Sequence, residues 1–262
     1  MAKSAFKKGQ RVCCFCGKPG MSREHFWPEW AADLLPSYPA THEKGHATWN
    51  AFSKPQINKL TSRQGAPKTI KINRVCTPCN NGWMSACEER VRPWLEPMAR
   101  SQAIALTPAA QHVLADYFTM KLMVSDRDIE ENSVFTQEDR TAFYTDRMIP
   151  SGVVITMFQY VAEPDPYVKQ YYKDRLTLVD QLRRPIGRIG NFTVRFGPLL
   201  IHLVFVRHGK SELQQNPLLG IRIFPTHDKT VRWPPIGAIT MVEANELQLF
   251  LRLHGPKPYP GK

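Results

Sequence analysis

The sequence predicts an α+β protein: a cysteine-clamped N-terminal module, then a helix pair, then a mostly antiparallel β-sheet. Three observations carry that reading. All six cysteines, Cys13, Cys14, Cys16, Cys76, Cys79 and Cys87, fall in the first third of the 262 residues, and four of them form two C-x-x-C pairs. Apolar residues recur at helical spacing from the second cysteine pair to about residue 148. After Pro150 the texture changes to short apolar runs punctuated by glycine and proline. The expected division is residues 1–100, carrying the cysteines, and residues 101–262, an α+β accessory domain. Each part is long enough to be a domain.

In chain order, residues 10–30 read as a zinc knuckle leading into a short strand around Arg23–Phe26. Residues 31–68 hold Pro36, Pro39, Pro55 and Pro67 among polar clusters and read as a long loop, with His42 and His46 as solvated loop residues. "KTIKINRVC" alternates imperfectly and reads as a strand entering the second cysteine pair. In "NNGWMSACEERVRPWLEPM", Trp83, Cys87, Val91, Trp94 and Met98 make one apolar helical stripe, which Pro93 should kink or split. In "TPAAQHVLADYFTMKLMV", Thr107 suits the cap and Pro108 the first helical position, with a wide apolar face from Val113 to Leu122. A third helix starts at Thr136, where Glu138 and Asp139 fill the first turn. The strand candidates are "GVVITMFQYV", "NFTVRFGPLLIHLVFV", "GIRIFP" and "AITMVEA". "GPLLIHLVFV", the longest apolar run, is too short to span a bilayer, and the basic start lacks a signal peptide's apolar segment. A cytoplasmic protein with no membrane partner is the expectation.

Charge is unevenly spread. Of the net +12, a surplus of nine sits in residues 1–80, where thirteen Lys/Arg face four Asp/Glu. A basic segment that coincides with the unusual motifs points to a polyanionic partner, nucleic acid, and DNA first. Lys7, Lys8, Arg11, Lys18 and Arg23 are the candidate phosphate contacts.

Cys13, Cys16, Cys76 and Cys79 offer the four soft ligands of a tetrahedral structural zinc, Zn²⁺. Each C-x-x-C turn aims two sulfurs at one ion, and two such turns close the shell; Cys14 is out of register. A long chain without a secretory leader is a poor match for a disulfide framework, so the cysteines are read as reduced. Glu24–His25 follows the first pair and Asn80 directly follows Cys79, so the staple would bring a carboxylate, an imidazole and an amide together. Carboxylate and amide oxygens suit a hard divalent ion, and an imidazole beside it can take a proton from water near neutral pH. Trp27, Trp30, Trp83 and Trp94 are read as a small core around the zinc.

The pattern C-x-x-C, E-H-x-x-P, C-x-x-C-N resembles the HNH, or ββα-metal, endonuclease family in its zinc-stapled form. "CTPCNNGWMSACEE" also resembles a group of uncharacterised bacterial and phage HNH proteins with a CxxCNxGWMS motif. The resemblance implies that Glu24 and Asn80 hold a catalytic Mg²⁺ or Mn²⁺, and that His25 is the general base for hydrolysing DNA phosphodiester bonds. The chain departs from the family pattern in carrying Glu24 where aspartate is commoner, and in having no second histidine. Glu88 lies two turns beyond Asn80, roughly 12 Å along the axis, and is a further residue for the metal site's surroundings. Other readings stay open. They are an inactive zinc-stapled nucleic-acid-binding module, and a nuclease effector aimed at RNA or regulated by a partner. The second half could recognise substrate, bind a protein partner or form a homodimer.

Overall fold

The computed structural model describes residues 11–23, 25–35, 40–49, 56–71, 73–126, 133–160, 171–179, 182, 184–207, 220–226 and 228–238. The architecture is mixed helix and largely antiparallel sheet, an α+β arrangement. Four helices are described: α1 (Thr77–Cys79), α2 (Ser85–Ala99), α3 (Pro108–Asp126) and α4 (Gln137–Asp146). A π turn over Asn80–Met84 joins the first two. None is long and apolar enough to cross a membrane.

Seven strands form the main sheet: β1 (Ala40–Trp49), β2 (Gln56–Gly65), β4 (Val153–Gln159), β5 (Tyr171–Val179), β6 (Pro185–Phe196), β7 (Leu199–Arg207) and β8 (Gly220–Phe224). Their order is β2-β1-β5-β6-β7-β4-β8; β1 runs parallel to β5 and every other pair is antiparallel. A separate two-stranded sheet pairs β3 (Ile104–Leu106) with β9 (Val231–Trp233).

Here the structure corrects the reading of residues 31–68 as a loop. Glu29–Leu34 is a 3₁₀ helix, and β1 and β2 form a hairpin that adds to the sheet through β5. His42 and His46 therefore sit in a strand, opposite Arg63 and Lys59. The hairpin is polar and has little apolar alternation, so nothing local announces it; pairing with β5 makes it a strand. The main sheet thus draws residues from both sides of position 100.

"KTIKINRVC" is likewise not a continuous strand. Pro67–Thr69 is a 3₁₀ turn, followed by single bridges, His25 to Lys71 and Met21 to Cys76. β5 and the β3–β9 pair have no counterpart among the strand candidates above, and β9 buries Trp233. The expected "AITMVEA" strand lies, apart from Ala238, outside the described residues.

Two helices follow their sequence signals closely. Thr107 Oγ1 accepts from the Ala110 N–H at 3.2 Å, with Pro108 opening α3. Thr136 caps α4 through a reciprocal capping box with Asp139. α2 differs in two respects. It runs unbroken through Pro93, whose missing N–H would have bonded the Glu89 carbonyl; both residues face solvent, which can satisfy that carbonyl. The departure from helical geometry falls instead at Gly82, with ψ −110°. The buried stripe is Met84, Cys87, Val91, Leu95 and Met98, and Trp83 and Trp94 flank it half-buried.

The core is continuous from the cysteines to the sheet. α3 is its centre: it packs on α2 and on β7 and β8, and is buried on every side from Leu114 to Asp126. Phe15 of the knuckle meets Trp83 edge-on at 4.9 Å and Phe143 of α4 at 6.5 Å. Gln137 at the start of α4 donates to the carbonyls of Cys14 (3.1 Å) and Phe15 (3.4 Å). The knuckle is thereby fastened to the helix layer as well as to itself.

Candidate metal centre and adjoining cavity

Two backbone segments bring the cysteines together. Met21 and His25 form antiparallel bridges to Cys76 and Lys71, with Ser22 N–H donating to the Val75 carbonyl (2.8 Å) and Phe26 N–H to the Ile70 carbonyl (2.7 Å). Cys14 N–H reaches the Arg74 carbonyl at 2.9 Å, and Thr77 N–H the Gly20 carbonyl at 3.0 Å. The chain turns directly from the second segment into α1, which carries Cys79. Gly17 and Gly20 take positive φ at 70° and 88° in the first turn, where a side chain would be strained.

The sulfurs of Cys13, Cys16, Cys76 and Cys79 all lie within 4.8 Å of one another. Zinc–sulfur bonds of about 2.3 Å put tetrahedral sulfurs about 3.8 Å apart, so the cluster fits a structural metal such as zinc. Cys16 and Cys76 are already at 3.5 Å. The thiols share their protons unevenly. A hydrogen bond from the Cys79 thiol draws Cys13 down to about 4 and holds Cys79 itself up, while burial raises Cys76. Metal binding at this cluster would therefore release protons. All six cysteines are free thiols. Among the described residues this is the one group of His, Cys, Asp or Glu close enough to hold an ion.

Beside the cluster opens a cavity of about 1000 Å³. His25 and Asn80 both line it, although one lies in the first antiparallel segment and the other opens the π turn after Cys79. Glu88 lines it from one turn into α2, with Ser85, Glu89 and Arg92; Trp27, Trp30 and Lys68 line it as well. Asn80 donates from Nδ2 to Asn81 Oδ1 at 3.0 Å, a bond that leaves its own amide oxygen uninvolved. That oxygen is the atom a hard cation would take. Glu24 lies outside the described residues, as do Lys7 and Lys8. Arg11, Lys18 and Arg23 are exposed.

Glu88 has a partner that its sequence position does not reveal. Its Oε1 lies 2.6 Å from Lys121 Nζ, and the Lys121 side chain is only 3% exposed. Lys121 also donates to the Phe26 carbonyl and sits over the rings of Phe26 (5.0 Å), Tyr117 (5.5 Å) and Trp27 (5.7 Å). The available signal was a lysine inside the apolar run "FTMKLMV" of a helix whose other faces are also buried. A lysine so buried needs a partner anion.

The tryptophans only partly surround the cysteines. Trp83 does, through Phe15, with the Arg147 guanidinium 4.1 Å above its ring. Trp27 instead packs edge-on against Phe196 of β6 at 4.9 Å, and Trp30 lies under Arg92 at 5.7 Å. No protein-family model, no curated protein and no solved structure matches this chain.

Proposed function

We propose that this chain is a metal-dependent endonuclease of the HNH kind, hydrolysing phosphodiester bonds in DNA. The observation that carries it is the shared cavity: His25 and Asn80, distant in sequence, line one space beside a four-cysteine cluster. Two antiparallel segments followed at once by a helix agree with a ββα module. In this reading the zinc is structural and fastens the segment bearing His25 to the helix start bearing Asn80.

His25 is exposed on the cavity wall and takes the proton of the attacking water. Glu24 and the Asn80 amide oxygen would hold Mg²⁺ or Mn²⁺, which when bound would supply charge stabilisation at the phosphate. Lys68, Lys71, Arg23, Lys18 and Arg11, all exposed, supply the positive surface along which the nucleic-acid backbone lies. DNA is placed above RNA by the family resemblance alone.

The deciding experiment compares plasmid and RNA cleavage with Mg²⁺ or Mn²⁺ for wild type, His25→Ala and Asn80→Ala at equal zinc content. Each variant should lose about 100-fold or more in rate. Full cleavage by His25→Ala would remove the mechanism. Salt-sensitive binding without cleavage by the wild type would leave a zinc-stapled nucleic-acid-binding module instead.

A further inference from the structure

Lys121 belongs to α3, outside the cysteine module, yet its ammonium contacts both α2 and the segment that carries His25. On one side it donates to the carbonyl of Phe26, the residue after His25. On the other it pairs with Glu88 of α2 at 2.6 Å, two turns on from Asn80. Glu88 is 19% exposed and lines the cavity, while Lys121 at 3% is sealed beneath it by Phe26, Trp27 and Tyr117. The Phe26 N–H is meanwhile tied to the Ile70 carbonyl at 2.7 Å, so this peptide is held from both sides.

A buried lysine is a costly way to fill a core; an apolar side chain would do as well or better for stability alone. What an ammonium adds is direction, with donors aimed at two acceptors on two separate elements. We propose that Lys121 is a positioning residue. It sets the separation of the two cavity walls by clamping the His25 segment to the helix that follows Asn80. The clamp rests on the nuclease reading only for its purpose; the mechanical claim stands on the contacts themselves. Sites of this kind lose up to about 100-fold in rate for a displacement near 1 Å.

The test uses the full chain with zinc bound and compares wild type, Lys121→Met, and the double variant Lys121→Met/Glu88→Leu. Lys121→Met leaves a carboxylate without its partner and should lower the urea midpoint. The double variant removes both charges and should recover that midpoint. Amide hydrogen exchange then reads position. In both variants the amides of His25, Phe26, Trp27, Glu29 and Trp30 should exchange about tenfold faster, while those of α4 stay unchanged. Turnover on DNA should fall roughly 10- to 100-fold in kcat in both, with KM within about twofold. Wild-type exchange at residues 25–30 in a double variant of restored stability would overturn the clamp, whatever the chain does to DNA. Faster exchange in a chain that never cleaves DNA would keep the clamp and refute the nuclease reading.

Discussion

The cysteine cluster and the junction between α3 and α4 are both polar structures set into one continuous core, and they are held by different chemistry. At the cluster, four thiols crowd within 4.8 Å of one another. At the junction, the buried Asp126 and Arg140 pair at 2.9 Å. Asp126 also accepts from the Val134 and Phe135 N–H groups, and Arg140 donates to the Met123 and Phe135 carbonyls and to Ser133. The junction draws its donors and acceptors from the chain itself. The cluster instead offers four soft ligands that could close around an ion. One region is thus open to metal and the other is satisfied by the chain alone, although Gln137 and Phe15 join them directly.

Metal removal should separate them most sharply. Structural zinc is worth about 10 kcal/mol or more to small modules. A chelator, or Cys76→Ser, should free the segments around residues 11–30 and 70–80 while the β-sheet signal in far-UV circular dichroism persists. Loss of both in one transition would break the distinction, and unchanged folding without metal would refute the staple.

The junction should fail in the opposite pattern. Arg140→Met leaves Asp126 buried without its cation and should cost about 3–5 kcal/mol in urea unfolding. The protein should still bind one equivalent of zinc wherever it remains folded, measured by metal analysis of the native fraction.

Acid should weaken the sheet, apart from either region, through one buried group. In the sheet, His202 is buried with Nδ1 2.9 Å from Thr193 Oγ1, and burial lowers its pKa to about 4. Its folded value lies below the unfolded value of about 6.5, so the unfolded chain binds the proton first. Stability should be full above pH 6.5 and fall by roughly 2–3 kcal/mol as pH drops towards 4. His202→Gln should flatten that part of the urea-midpoint profile; a metal-free sample compared over the same range isolates it from thiolate protonation.

The smallest expected effect lies outside both regions, where the sheet meets the end of α2. Gly197, in the turn between β6 and β7, has φ 53°, and an added Cβ would run into the Ala99 carbonyl oxygen. Gly197→Ala should cost about 2 kcal/mol. A calorimetric melt shifted by only a degree would show that the end of α2 yields more readily than this packing suggests.

Some of this molecule is legible without coordinates because its signals are local. Paired C-x-x-C turns can serve one purpose with four soft ligands, and the structure gathers the same four sulfurs. Thr107 and Thr136 cap the helices they announce, because a cap satisfies N–H groups only two or three residues away. The strands over "GVVITMFQYV", "NFTVRFGPLLIHLVFV" and "GIRIFP" are equally plain from their apolar content, although the second divides at Gly197 into β6 and β7.

Tertiary structure decided the rest, for reasons of distance. The hairpin over residues 40–65 is a pair of strands because β5 offers it an edge, and an edge supplied by residues 171–179 leaves no trace in its own composition. Along α2 the choice of Met84 and Leu95 over Trp83 and Trp94 for burial depends on which face α3 covers. Lys121 sits in an apolar run like any intruding charge; its role appears only when Phe26 and Glu88 converge on its ammonium. The sequence by itself determined the four clustered cysteines, the helix caps and the α+β class, since each depends on neighbours in the chain. Which distant residues share the cavity, and what holds its walls apart, was decided by packing.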